Sequence, residues 1–351
     1  MKSLFLPCVL LVLLLSYSCV DPLELKIDDN AQQLVVDGMI TDEAGPYTVR
    51  LSRSKPYATY HDNWSTAETG AQVTIADDKG NQETLQEAEP GLYQTSSEGI
   101  KGQVGNTYVL TITTKNGERY TSAPETIAPV PTIDNLYFEV RPQLMLNDED
   151  VVQTVYVANV LLDTKDPAAQ KNYYMWQWQG TFRVSTQPWD YSEKVRGVRV
   201  PMPKDCCEIC WVTANTNRVN VTDDRLLNGG NLKHHLVTQI PVIPQTFGFK
   251  YHMEVKQLSV SEAAFDYWNM LKTQIETGGS IQDPPPAIVI GNITSVTNPE
   301  QRALGFFGAS AVTKQSIFIL REELGIPVGA YVMPDDCRVL SNSTTVQPDF
   351  W

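Results

Sequence analysis

Hydrophobic and polar residues alternate in short segments through the first third of the chain, and turn-forming sequences such as DEAGP, DDKGN and KNGE separate these segments. Over residues 107–113, Tyr108, Leu110 and Ile112 fall on one face and valine and threonine on the other, which is the two-residue period of a half-buried β-strand. Strands are predicted in this way at residues 34–40, 47–52, 71–76, 83–86, 91–95, 107–113 and 119–122. About seven short antiparallel strands in about ninety residues are typical of an immunoglobulin-like β-sandwich, which we assign to residues 33–130.

A proline-rich segment, TIAPVPTID, ends this pattern. Pro129 and Pro131 favour an extended connector, because proline fixes its own backbone and restricts the residue before it. Beyond the connector, alternating residues in NYYMWQWQGTFRVST (172–186) and FGFKYHMEVKQLSV (247–260) predict two longer strands.

The period changes from two residues to that of a helix near residues 261–277. Phe265, Trp268, Leu271 and Ile275 share one face of such a helix, and Ser261 stands at its N-cap position. We therefore predict a second, mainly-β (α+β) domain over residues 131–351, with one packing helix laid across a sheet.

The first residues, MKSLFLPCVLLVLLLSYSC, carry one lysine and an apolar run that is too short to span a bilayer. A charged start, an apolar stretch and small residues at its end are typical of an export signal peptide, which we assign to residues 1–18. Cys19 follows directly, at the position where bacterial lipoproteins are acylated and cut. We predict lipidation of Cys19 and an acylated tether over residues 19–32. The alternative is ordinary secretion with an incidental cysteine.

The charge balance is strongly acidic, with 27 Lys and Arg against 41 Asp and Glu and a net charge of −14. The densest basic group, Lys194, Arg196, Arg199 and Lys204, is short and flanked by acidic residues. Binding to nucleic acid needs a larger basic surface, so we predict no nucleic-acid partner.

Beyond the leader and Cys19, the chain contains four cysteines, Cys206, Cys207, Cys210 and Cys337. In an oxidising compartment outside the cytoplasm these predict two disulfides. Bonding the neighbours Cys206 and Cys207 to each other is strained, so we expect another pairing, in which Cys337 staples the C-terminal segment to the cluster. Two alternatives are a zinc ion held by the four thiolates and a redox pair formed by Cys207 and Cys210.

No constellation typical of catalysis, a metal or a cofactor stands out in the sequence. The four histidines lack metal-ligand spacing, and no nucleophile motif accompanies them. We therefore expect a protein that is not an enzyme and uses no cofactor. On the strand at 172–186, Tyr174, Trp176 and Trp178 share one face, which predicts either a ligand-stacking surface or part of the core.

Blocks along the chain resemble domain-of-unknown-function family 4249 (DUF4249). They include LVVDGMITDEAGPYTVRLSRS, GAQVTIADDKGN, PVPTID, NYYMW, SVSEAAFDYW, DPPPAIVIGNI and PDFW, in this order. The resemblance implies an exported lipoprotein of Bacteroidota outer membranes, encoded beside TonB-dependent outer-membrane transporters, on the cell surface or the periplasmic face. It implies no catalytic residues.

These observations lead to one functional hypothesis and two rivals. We expect a lipid-anchored, non-enzymatic accessory or binding protein that works with an outer-membrane β-barrel, such as a TonB-dependent transporter. The first rival is a surface glycan- or peptide-binding lipoprotein that is independent of any transporter, for which Trp176 and Trp178 would have to be exposed. The second is a hydrolase whose catalytic groups come from distant segments.

Overall fold

The computed structural model describes residues 32–55, 65–147, 150–168, 170–225, 228–277, 289–298, 301 and 303–351. Its first ten strands are β1 (Leu34–Thr41), β2 (Thr48–Ser54), β3 (Ser65–Ala67), β4 (Gln72–Asp77), β5 (Gln82–Thr84), β6 (Gln86–Glu89), β7 (Leu92–Gln94), β8 (Thr107–Thr113), β9 (Arg119–Ser122) and β10 (Glu125–Thr126). Each of the seven strands predicted before residue 130 has a counterpart here, because alternation is a local signal.

The later strands include the longest in the molecule. They are β11 (Ile133–Leu146), β12 (Val152–Lys165), β13 (Tyr173–Ser185), β14 (Ser192–Val195), β15 (Val198–Pro201), β16 (Ile209–Asn215), β17 (Val221–Asp223), β18 (Asn231–Pro241), β19 (Lys250–Ser259), β20 (Ile293–Ser295), β21 (Leu304–Ser310), β22 (Val312–Leu320) and β23 (Ser343–Thr344). The described helices are α1 (Pro244–Phe247) and α2 (Glu262–Thr277), with single 3-10 turns at Pro188–Asp190, Arg321–Leu324 and Cys337–Val339. The mainly-β prediction is confirmed.

The first sandwich consists of two sheets that share one core. Sheet A has the order β21-β1-β2-β7-β6, and sheet B has the order β20-β9-β8-β4-β5. Their facing sides bury a common cluster that includes Leu34, Val49, Ile75, Leu110 and Phe307. Burying such side chains supplies most of the free energy that stabilises a β-sandwich.

The second sandwich packs a three-stranded sheet on a larger one. Sheet C has the order β11-β12-β18, and sheet D has the order β22-β19-β13-β16-β23. The core between them includes Val160, Leu162, Trp176, Met253 and Val255. Trp176 is completely buried, and its indole Nε1 donates to Gln257 Oε1 at 3.0 Å.

Helix α2 lies on the outer face of sheet D, the face turned away from this core. Phe265 packs there with Met175, Leu258 and Phe306, and the Ser261 hydroxyl accepts the Ala264 N–H at 3.1 Å, as an N-cap does. The predicted packing helix is confirmed. Its last turn differs from the prediction, since Ile275 is 70% exposed and therefore does not pack.

The sheet pairing corrects the predicted division of the chain at residues 130 and 131. β21 pairs in parallel with β1, and β20 pairs with β9, so two strands from the later region complete the first sandwich. The sequence ALGFFGAS signals a strand but not its partner, because pairing between distant segments leaves no local pattern. Strand periodicity alone could not reveal this return of the chain.

Candidate functional site

A two-stranded arm extends from the second sandwich. β11 and β12 pair over their whole lengths, as far as Leu146 opposite Val152. The third strand of sheet C, β18, reaches only as far as Pro241 opposite Val157. Residues 142–147 and 150–156 therefore leave the sheet as a ribbon without a third strand, and we call these residues the arm.

The tip of the arm is apolar and open to solvent. Leu144, Leu146 and Val152 are 71%, 62% and 61% exposed, and Met145 and Val151 are exposed as well. A ribbon of two strands has no second layer in which to bury such side chains. Clustered large apolar side chains on the surface of a protein mark an interaction site more often than isolated ones do. The sequence does not predict this site, because the runs LML and VV, on either side of an acidic segment, have the same pattern as buried strands.

A second hairpin, formed by β14 and β15, is also exposed. Val198 at its tip is 66% exposed, and Lys194 stands directly opposite Arg199. Within the described part of the chain, no carboxylate forms an ion pair with Lys194, Arg196 or Arg199. Like charges that face each other across two strands are unfavourable until an acidic group approaches them.

Both hairpins leave the same end of the second sandwich. In the arm, the Tyr156 carbonyl accepts the Val242 N–H at 2.8 Å, just before α1. The ring of Phe247 in α1 stacks on Tyr251 at 5.4 Å, and Tyr251 pairs with Phe182 near the end of β13, from which the chain continues to β14. We call this the distal end, and it presents the apolar side chains of the arm and the basic ones of the β14–β15 hairpin.

The first described residues lie at the opposite end of the molecule. β1 runs towards sheet D, since Asp42 just after it accepts the Val312 N–H at 2.8 Å and Glu43 binds Lys256 at 2.7 Å. Leu34, which begins β1, therefore lies at the end of the first sandwich remote from the second. Cys19, the predicted lipidation site, lies outside the described residues.

The four cysteines form two disulfides. Cys210 is joined to Cys337, with Cα atoms 5.7 Å apart, and Cys206 is joined to its neighbour Cys207. The predicted staple between Cys337 and the cluster is present, but the exclusion of the neighbour pairing was wrong, since Cys206 and Cys207 are the two cysteines left once Cys210 is bonded to Cys337. With every one of these sulfurs in a disulfide, no thiolate is left for zinc, and Cys207 and Cys210 are not a redox pair.

The C-terminal residues lie on the outer face of sheet D. The Phe350 ring stacks on His252 at 4.1 Å, and Trp351 meets Trp211 and Phe318 edge-on. Burial lowers the pKa of His252, which favours the neutral ring that packs between the aromatic side chains. The tail is therefore held by ring contacts as well as by the Cys210–Cys337 bond.

The aromatic row on β13 belongs mainly to the core. Tyr174 and Trp176 are 3% and 0% exposed, so of the two alternatives the core is the one that the structure has for these residues. Their side of β13 faces sheet C, and the Tyr174 hydroxyl donates to buried Asp166 at 2.6 Å. Trp178 is half-buried against the same core and contributes to the rim of a cleft.

That cleft lies where the two sandwiches meet, and we call it the junction cleft. One lobe, of about 340 Å³, lies over β13, β16 and β19 and is lined by Gln177, Gln179, Asn215 and Glu254 among others. An adjoining lobe of about 450 Å³ shares Gln177 and runs between the outer face of sheet A and α2. Its lining includes Asp37, Met39, Arg50, Trp268 and Phe306. Clefts between domains are common positions for ligands.

One carboxylate at the junction cleft is paired with two lysines. Lys256 binds Glu43 at 2.7 Å, and Lys314 lies 3.4 Å from the same carboxylate. Partial burial alone would raise the pKa of Glu43, but the two lysines hold it below its usual value. In the other lobe, Asp37 stands opposite Arg50. Burial raises the pKa of Asp37, and Arg50 acts against this rise.

Within the described residues, no group of three or more His, Cys, Asp or Glu side chains is arranged to hold a metal ion. Among the helices of that same part of the chain, none is both long and apolar enough to cross a bilayer.

Comparison with known proteins identifies one family. The profile described as "Domain of unknown function (DUF4249)" matches residues 20–316. The chain belongs to the DUF4249 family. No match to a curated protein was found. In this DUF4249 protein, the matched region contains both hairpins of the distal end and all the residues named above for the junction cleft, and it ends inside β22.

Proposed function

We propose that this DUF4249 protein is a lipid-anchored, non-enzymatic accessory protein of the outer membrane that docks onto a β-barrel partner, such as a TonB-dependent transporter. The observation that carries the proposal is the apolar tip of the arm. Leu144, Leu146 and Val152 have no described intramolecular partner layer, so a partner protein that covers them gains the free energy of apolar burial.

The rest of the distal end supports the same proposal. The unpaired cations of the β14–β15 hairpin, Lys194, Arg196 and Arg199, favour a partner surface that is acidic beside its apolar patch. Because the chain enters at the opposite pole, a lipid on Cys19 can hold the protein at the membrane without covering the arm. The rival glycan-binding surface on β13 loses its support, since Trp176 is buried.

Anchoring predicts a clear effect of Cys19→Ala. Without this thiol the chain cannot be acylated at that position. It then lacks the several acyl chains that stable anchoring in a membrane needs. We expect the variant to leave the outer-membrane fraction and to keep an uncut or miscut amino terminus, as measured by fractionation and intact mass. The matched control is Cys8→Ala, which removes a thiol inside the predicted leader and should change neither result. Normal fractionation of Cys19→Ala would contradict the anchor.

Docking predicts that polar residues at the tip abolish partner capture. The variant Leu144→Ser/Leu146→Ser/Val152→Ser should lose a co-purifying barrel protein by about tenfold or more after extraction in mild detergent, because each buried aliphatic side chain contributes about 1.5–3 kcal/mol. Its melting temperature should stay close to that of the wild type, since all three side chains are exposed.

The control makes equivalent changes elsewhere on the surface. Val104, Val332 and Val346 are 49%, 72% and 71% exposed and lie outside the arm. Their triple serine variant should retain the partner. Recovery of a lone monomer from wild-type membranes, or retention of the partner by the tip variant, would overturn the proposal.

A further inference from the structure

We infer that the junction cleft is a binding site for a neutral saccharide. The inference depends on neither the arm nor the anchor. Several polar side chains on sheet D point away from both cores. Packing does not explain why amides stand at these positions. Gln177 and Gln179 on β13, Asn215 on β16 and Glu254 on β19 line one lobe together.

The amides form a pair with unused hydrogen-bonding groups. Gln179 Nε2 donates to Asn215 Oδ1 at 3.0 Å, and the two residues stand opposite each other on neighbouring strands. This bond leaves the Gln179 carbonyl as an acceptor and the Asn215 amide as a donor. Glu254 stands directly opposite Gln179 on the other side, and its carboxylate accepts no hydrogen bond from any described residue. Adjacent donors and acceptors of this kind suit the vicinal hydroxyls of a sugar, which both donate and accept.

The second lobe combines charged side chains with apolar ones. The half-buried Trp268 of α2 lines it together with Phe306 and Met39. The apolar face of a sugar ring can pack on an indole while its hydroxyls reach polar groups at the edge, and ligand sites typically combine such an apolar surface with a few placed polar groups. Gln177 belongs to both lobes and connects the two surfaces.

Charge and backbone pairing argue against anions and extended peptides. Lys256 is already bound by Glu43, and the carboxyl groups of Asp37 and Glu254 line the same cleft as Arg50, so its charge does not favour a phosphate or a polyanion. An extended peptide usually adds to an exposed sheet edge. The floor of the cleft is formed by β13 and β19, which are interior strands of sheet D with neighbours on both sides. A neutral polyhydroxylated ligand fits the amides and the indole of the cleft better than either of these classes.

The test is a binding titration of the full processed protein, purified in detergent, with soluble oligosaccharides of α-glucan, β-glucan, mannan, xylan and chitin. Tryptophan fluorescence and calorimetry should detect saturable binding of at least one of them. Gln179→Ala/Asn215→Ala should weaken this binding by about tenfold or more, and Glu254→Gln and Trp268→Leu should each weaken it.

The chain offers a matched control for the amide pair. Gln239 Nε2 donates to Asn159 Oδ1 at 3.0 Å across β18 and β12, in sheet C and outside the cleft. Gln239→Ala/Asn159→Ala should bind saccharide like the wild type, and so should the variant with serines at the tip of the arm. Absence of saturable binding to every oligosaccharide, or equal affinity in the cleft and control variants, would overturn the inference. Loss of partner capture by the arm variant would bear on the proposed function and not on saccharide binding in the junction cleft.

Discussion

Removal of the Cys210–Cys337 disulfide is expected to lower the free energy of unfolding by about 4 kcal/mol. The bond joins residues separated by 127 positions, and in the chain-entropy model a loop of this length strongly restricts the unfolded chain. Both cysteines are completely buried, so alanine at both positions avoids an unpaired thiol in the core. Chemical denaturation of Cys210→Ala/Cys337→Ala under non-oxidising conditions measures the change.

The neighbouring disulfide provides the internal control. Cys206 and Cys207 are separated by one position, so their bond closes no chain loop of consequence. Cys206→Ala/Cys207→Ala should therefore change the free energy of unfolding by less than about 1 kcal/mol. Equal losses in the two double variants would show that loop closure does not explain the stabilisation.

Local patterns in the sequence predicted the local elements well. Alternation placed strands at 107–113 and 119–122 with the bounds that the structure gives them, and the N-cap serine at 261 correctly preceded a helix over Glu262–Thr277. These predictions succeed because side-chain period and capping act within one or two turns of the chain. The same signals established the mainly-β class.

Features that depend on distant segments could not be predicted. From the sequence, the side of β13 that carries Tyr174 and Trp176 is compatible with a core or with a ligand-binding surface. The position of sheet C over this side decides for the core. The junction cleft combines Gln179, Asn215 and Glu254 from three strands that are neighbours only in the folded sheet. The arm tip was missed for a different reason, because its runs of apolar residues resemble an ordinary buried strand.

The return of the chain to the first sandwich predicts that residues 32–130 do not fold when they are expressed alone. This fragment lacks β20 and β21, which flank β9 and β1. It therefore loses Phe307 and Ile293 from the core, which are 0% and 4% exposed in the intact chain. Removing one buried phenylalanine side chain costs about 3–5 kcal/mol, and a whole domain is stable by only about 5–15 kcal/mol.

The fragment also loses backbone hydrogen bonds along β1, which becomes an unpaired edge with a strong tendency to associate. Far-UV circular dichroism and amide proton NMR spectra of residues 32–130 should show an unfolded or aggregated chain. Appending residues 289–311 through a flexible Gly/Ser linker restores the two missing strands, so the extended fragment should recover dispersed amide signals and a cooperative melting transition. A cooperative transition in the short fragment would mean that the first sandwich is stable without β20 and β21. An unfolded extended fragment would mean that the first sandwich needs the second as well, through contacts such as Glu43 with Lys256.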